Sequence, residues 1–442
     1  MSRFPKTLLA AALVGLTVAT APLQATDLVQ VYRTALERDA ELRAAEARYR
    51  AALEQRPQAR SVLLPQIEGT AAYAYTDTDR GGNSFDYQTS SFELSLDQTL
   101  YDHRNYVALR QADLGIAQAT AVRDATRQGL ILRVAEAYFD VLAAQDNLSF
   151  ARAEKEAIGR QLEQVERRFE VGLIAITDVK EAQAQFDLAV AEEIAALNRL
   201  DLAGEELMVI TGQFHDQLAL LSERMPLVSP EPGNMDQWVQ TALEANLALI
   251  ARRFGTEVAA EEIKRQRAGH YPTVGLSASY TDRDFHNAPG GQLASNFLDT
   301  RDAQVGIQLR VPIYTGGRTT SLTREARESF DAAREELELT ERQTVRQARS
   351  AFLSVNAGIS RVNALEQALE STRASFEAAE AGFEVGTRTA VDVLLELRQV
   401  FRAERDYAES RYAYLLDTLR LKQAAGTLSE DDLLAINTWL DR

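Results

Sequence analysis

Two periods of hydrophobicity alternate along this chain, and the places where one gives way to the other divide it into elements. Leu28, Val31, Ala35 and Leu36, then Leu42, Ala45 and Tyr49, recur at spacings of three and four, which predicts a helix with one apolar face. Pro65 closes that segment and the period drops to two. Ile67, Gly69, Ala71, Tyr73 and Tyr75 then fall on one side, and Gln66, Glu68, Thr70, Ala72 and Ala74 on the other, as in a strand. The polar stretch DTDRGGNSFDYQTS reads as a loop, with Gly81 and Gly82 loosening it. SFELSLDQTLY resumes the alternation, setting Phe92, Leu94, Leu96 and Leu100 against Glu93, Ser95, Asp97 and Thr99. The two strands predict a β-hairpin over residues 66–101.

From Arg104 to Glu170 no proline interrupts a helical pattern that includes Val134, Tyr138, Val141, Ile158, Leu162, Val165 and Phe169. A helix of that length reaches on the order of 100 Å, far beyond an ordinary globular helix, and implies a coiled or barrel-like helical assembly. A returning helix completes a helical hairpin over 104–211.

The same plan is then written again. DQWVQTALEANLALIARRFGTEVAAEEIKRQR is helical, and Pro272 stands where Pro65 stood. Val274, Leu276, Ala278 and Tyr280, then Val305, Ile307, Leu309, Val311 and Ile313, alternate with polar residues in a second hairpin over 272–314, with Pro312 near a strand end. A second helical hairpin follows over 317–425, its first helix spanning Arg318 to Glu384. FEVGLIAITDV, from Phe169, and FEVGTRTAVDV, from Phe383, mark equivalent turns of the two copies. Gly172 and Gly386 suit the left-handed residue after a helix end, and Asp178 and Asp392 suit the first turn of the returning helices. Asp178 has Glu181 at capping-box spacing, whereas Asp392 has Leu395 there. The predicted organisation is therefore a first repeat over 26–212, a proline-rich connector over 213–235, a second repeat over 236–427 and a C-terminal helix over 428–442.

Composition adds direction. Arg3 and Lys6 precede a short apolar run, so residues 1–25 read as an export leader. The 442 residues include no cysteine, so an exported chain must be held by packing alone. A net charge of −17 argues against nucleic-acid binding. Four scattered histidines show no metal-ligand spacing, and no catalytic constellation or cofactor motif is visible. After the leader no run is apolar enough for a membrane helix, so entry into a membrane would be by strands. The strands are two-faced, with aromatic residues (Tyr75, Phe92, Tyr101, Tyr280, Tyr314) near their ends, as in a barrel with lipid outside and water within. A single chain has too few strands to close, so several chains must pool them, and three copies would give twelve strands.

The order of elements, with VGLIAITDV and VGTRTAVDV at the turns and LRLKQAAGTLSEDDLLAINTWL at the close, resembles the outer-membrane efflux proteins over nearly the whole mature chain. That resemblance implies a homotrimer, a twelve-stranded β-barrel in outer-membrane lipid continued by an α-helical barrel through the periplasm. It implies an exit channel for efflux or type I secretion, working with a periplasmic adaptor and an inner-membrane transporter, and neither enzyme nor cofactor. It places adaptor-docking tips at Val171, Gly172 and Leu173 and at Val385, Gly386 and Thr387. It aligns Asp392 with an aspartate that rings the closed entrance, where threefold copies would raise one another's pKa and attract cations. It aligns Arg388 with an arginine that pins the returning helix to the neighbouring turn, here around Thr177 and Asp178. Leu395, followed by Glu396, replaces a second family aspartate, and Phe383 replaces a tyrosine, which implies a shallower charge ring and a less tightly latched entrance. Two other readings compete: a coiled-coil structural or adhesive envelope protein without transport, and a soluble periplasmic scaffold with a sandwich core. The inward Glu68, Glu93, Asp97 and Arg310 speak against the stalk.

Overall fold

The computed structural model describes residues 25–441 except 81–82, 216, 223–224 and 288–297. The leader up to residue 24 and the Gly81-Gly82 pair lie outside the described residues. The chain opens with α1 (Leu28–Arg38), α2 (Ala40–Leu53) and α3 (Gln55–Ser61). The single N-terminal helix expected from periodicity is thus broken. Asp39, in extended backbone, accepts the Leu42 amide at 2.6 Å and caps α2, and its buried carboxylate is held by Arg133 at 3.1 Å.

Next come β1 (Gln66–Arg80) and β2 (Asn83–Tyr101), then α4 (His103–Glu170, 68 residues) and α5 (Ile176–Thr211). After a two-residue β3 (Leu220–Leu221) the plan repeats: α6 (Met235–Ala245), α7 (Leu247–Arg267), β4 (Thr273–His286), β5 (Thr300–Arg310), α8 (Arg318–Glu384, 67 residues) and α9 (Ala390–Ala424). The helix expected before the second hairpin is also broken. Asn246 repeats the part of Asp39, accepting the Leu249 amide at 3.0 Å while its Nδ2 donates to Ala424 O at 3.0 Å. The C-terminal segment is helical only over α10 (Glu430–Asn437). It ends in β6 (Leu440–Asp441), which pairs with β3 because the connector crosses beside it. The connector is therefore knitted into the fold, and Thr26 donates its amide to Gln217 O at 2.8 Å.

The long strands form one antiparallel sheet in the order β1-β2-β4-β5, so the two hairpins join edge to edge through β2 and β4. They run further than the alternation suggested. Residues 77–80 and 83–90, polar enough to read as loop, are paired, as in Asp77 with Asp86. Ladder pairing carries a strand where hydrophobicity has stopped marking it. β5 ends at Arg310, before Pro312, and Tyr314 lies beyond it. Register places Ile67, Leu96, Ala278 and Val305 in one row, and Glu68, Ser95, Ser279 and Gln304 in the adjacent row on the opposite face. One face is thus aliphatic and aromatic, the other hydroxylic and charged. β1 and β5 are left as open edges, and Ile67, Tyr75, Val305 and Ile307 are exposed in the single chain.

The helices carry the packing. α4 meets α7 near the sheet, where Gln111 Nε2 donates to Glu262 at 3.0 Å, and meets α5 further down through Lys155 and Glu193. The main core gathers α1, α4, α9, the connector and α10 around Tyr138, Phe139, Leu142, Leu415 and Leu419. A separate apolar cluster closes the far ends of the helices. Among the described residues no helix is long and apolar enough to cross a membrane.

Candidate functional site at the helical tips

Both long helices end in the same way. Gly172 (φ 76°) and Gly386 (φ 81°) occupy the left-handed position that glycine reaches without strain. In the first turn the Gly172 amide donates to Phe169 O at 2.8 Å and the Leu173 amide to Arg168 O at 2.9 Å. In the second, the Gly386 amide donates to Phe383 O at 3.2 Å and the Thr387 amide to Gly382 O at 2.8 Å. These paired bonds satisfy carbonyls the helix cannot, so each helix stops within one turn. At the apices Val171, Leu173 and Val385 are 70%, 73% and 75% exposed. Large apolar side chains held that far into solvent on hydrogen-bonded turns suit a docking contact.

The returning helices differ. α9 opens with a reciprocal cap. The Asp392 amide donates to Thr389 Oγ1 at 3.1 Å, while Asp392 Oδ2 accepts the Thr389 amide at 2.9 Å and its hydroxyl at 2.8 Å. α5 opens at Ala175 with no side-chain cap, and Asp178 sits in its first turn without the box that its spacing to Glu181 suggested. The sequence expectation is thus reversed, because the helix starts one turn earlier than a cap at the aspartate requires. The signal was present: Thr389-Ala-Val-Asp392 has the cap spacing, and Ala175-Ile-Thr-Asp178 lacks the hydroxyl. The Thr389 amide and hydroxyl, with Arg388 nearby, hold the Asp392 carboxyl below its ordinary pKa. Glu396 turns towards α8 and accepts from Ser375 Oγ at 3.0 Å, while the neighbouring Leu395 is exposed.

Among the described residues no hydrogen bond or ion pair joins Arg388 to Thr177 or Asp178 within one chain. The Arg388 amide instead donates to Gly382 O at 3.1 Å, and its side chain lies across Gly382. A Cβ at Gly382 would meet Arg388 Cγ at 2.8 Å, so this glycine, which sequence reading passed over, lets the second turn fold flat. The first copy has Arg168 at the equivalent place. Its guanidinium sits 4.1 Å over the ring of buried Phe383, joining the two tips by a cation–π contact. Phe383 packs with Ile158, Leu162, Val165, Ala390 and Leu394 in the cluster that holds the hairpins together. No group of three His, Cys, Asp or Glu able to hold a metal occurs among the described residues.

The family model described as "Outer membrane efflux protein" matches residues 31–213 and 238–427, one span for each copy. The chain is 42% identical over 416 residues to "Outer membrane protein TolC" of Vibrio cholerae, covering 94% of each. It is 32% identical to "Alkaline protease secretion protein AprF" of Pseudomonas aeruginosa, covering 92% of this chain and 86% of that one. The fold matches the crystal structure of the Campylobacter jejuni CmeC outer membrane channel with a TM-score of 0.77 at 16% identity, covering 94% and 90% of the two chains.

Proposed function

This chain belongs to the outer membrane efflux protein family, and from that premise we propose how its geometry makes a gated exit. The protein resides in the outer membrane and serves as an exit channel for efflux or secretion. Residues 1–25 act as the export leader, and three copies pool their sheets into a twelve-stranded barrel. The observation that carries this reading is the open, two-faced sheet. Its unpaired edges cannot rest in lipid, and its polar face cannot be a dry core. At ~3.3 Å per residue, β1 is about 50 Å long, more than a tilted strand needs to cross a bilayer, so the polar hairpin end stands outside it.

Below the barrel, the α4–α5 and α8–α9 hairpins of three chains form a tunnel closed at the tips. Val171, Leu173 and Val385, set by Gly172, Gly386 and Thr387, receive a periplasmic adaptor coupled to an inner-membrane transporter. Asp392 rings the entrance. Arg388, free of a hydrogen bond to the other turn within its own chain, reaches Thr177 and Asp178 of a neighbouring protomer. Glu396, bonded to Ser375, braces the second hairpin and keeps its carboxylate directed towards α8. The test is reconstitution of purified protein into planar bilayers. A detergent-dependent trimer that carries ionic current supports the reading, and a folded monomer soluble without detergent overturns it.

A further inference from the structure

Between the two apolar clusters, the hairpins meet through polar groups. The main core reaches down to Leu142 and Tyr412, and the tip cluster begins at Ile158. The small cluster of Leu148, Ala151 and Ala196 between them joins α4 only to α5. In that interval Tyr412 OH donates to Asp146 at 2.7 Å and Asn147 Nδ2 donates to Glu409 at 3.0 Å.

Lower on α4 sits Glu154, a carboxylate only 5% exposed. Two arginines of α9 reach it, Arg398 Nε at 3.4 Å from one oxygen and Arg405 Nη2 at 3.9 Å from the other. Both arginines also extend to α5: Arg398 Nη1 donates to Gln185 Oε1 at 2.7 Å, and Arg405 Nη1 stands 3.7 Å from Glu192. One helix of the second hairpin thus grips both helices of the first, about 24 Å above the end of α4.

A buried ion pair is poor as a stabiliser, since desolvating the charges offsets much of their attraction, but breaking one side of it is costly. Here burial pushes the Glu154 carboxyl above its ordinary pKa despite the pull of both arginines, so desolvation is not fully offset. Such a contact suits a place where two bodies must engage and release. Polar groups can be rehydrated as they part, whereas an apolar seam would resist.

We propose that Glu154, Arg398 and Arg405 form a second clasp between the hairpins, remote from the tips, which parts when the entrance opens. This rests on the channel reading above. The clasp adds to the closed state in each chain, and its loss favours the open one without touching the tip residues.

The test is single-channel recording of the full-length protein in planar bilayers. Glu154→Gln, Arg398→Gln and Arg405→Gln are each expected to raise conductance or open time several-fold. Combining Glu154→Gln with Arg405→Gln is expected to add little to either, because both remove one shared contact. Arg160→Gln, which breaks only an exposed pair with Glu156 on the same helix, is expected to behave as wild type. If Glu154→Gln does not accumulate in the membrane, the more accessible Arg405→Gln carries the test. A conducting wild type with unresponsive Glu154→Gln and Arg405→Gln overturns the clasp alone, as do strictly additive effects. A wild type without current overturns the channel reading and the clasp with it.

Discussion

Asp392 completes the capping box of α9, and the proposed channel gives it a second, separable role as a charge at the entrance; a pair of substitutions divides the two. Thr389→Ala removes the hydroxyl that accepts the Asp392 amide at 3.1 Å and donates to its carboxylate at 2.8 Å, but leaves the charge in place. Losing a cap of this kind costs about 1 kcal/mol, which is roughly a fivefold rise in fraying of the first turn. Asp392→Asn removes the charge yet keeps an oxygen to accept the Thr389 amide, now 2.9 Å from Oδ2. Hydrogen exchange at residues 391–393 and block of the bilayer conductance by multivalent cations read the two roles independently. Thr389→Ala is expected to speed exchange about fivefold and to keep the block. Asp392→Asn is expected to leave exchange within about twofold of wild type and to lose the block. Within a single chain the Thr389 bonds depress the folded pKa, so the cap is present above the carboxyl's unfolded value and is lost only as pH falls through the folded one. Protection of the first turn, taken relative to the intrinsic exchange rate at each pH, is thus flat from neutral to mildly acidic pH. If Thr389→Ala abolishes the block while Asp392→Asn preserves it, the division of roles is wrong.

Three further outcomes follow from the geometry. Gly426→Ala puts a Cβ 2.2 Å from Ala245 O at a residue with φ 75°, so both backbone and neighbour must move; thermal unfolding should fall sharply and little folded protein should accumulate. Arg168→Ala removes the cation–π contact with Phe383, worth about 1 kcal/mol, and limited proteolysis should cut the tips more readily, while Arg160→Ala should not change the rate. Ile307→Arg places a charge on the apolar face and should destabilise the membrane-inserted sheet by about 2–4 kcal/mol, whereas Gln304→Arg on the opposite face should fold normally; equal effects in a denaturation series would contradict the assignment of lipid and lumen faces.

Much of this protein is readable from local pattern. Period two and period three-to-four are properties of consecutive residues, so the two-faced strands, the long helices and the left-handed glycines at 172 and 386 are visible in the chain itself. The repeated FEVG phrase marks the two turns for the same reason: a helix end is satisfied by residues within one turn of it.

What local pattern could not decide depends on partners distant in sequence. The helix breaks at Asp39 and Asn246 lie in runs of adequate helical periodicity. They exist because Arg133 and Ala424 O, far along the chain, meet those side chains. The strands continue through polar residues because a ladder partner stands opposite, and the connector gains β3 because the C-terminus returns to it. Arg168 over Phe383, Arg388 across Gly382 and Glu154 between two arginines all join one copy of the repeat to the other, or one side of a turn to its opposite side. Sequence by itself determined the long strands, the long helices and their two-fold repetition, because hydrophobic period and turn chemistry are short-range. Tertiary structure alone decided how the two copies grip each other, because a charge or a ring acquires its role only from what is folded against it.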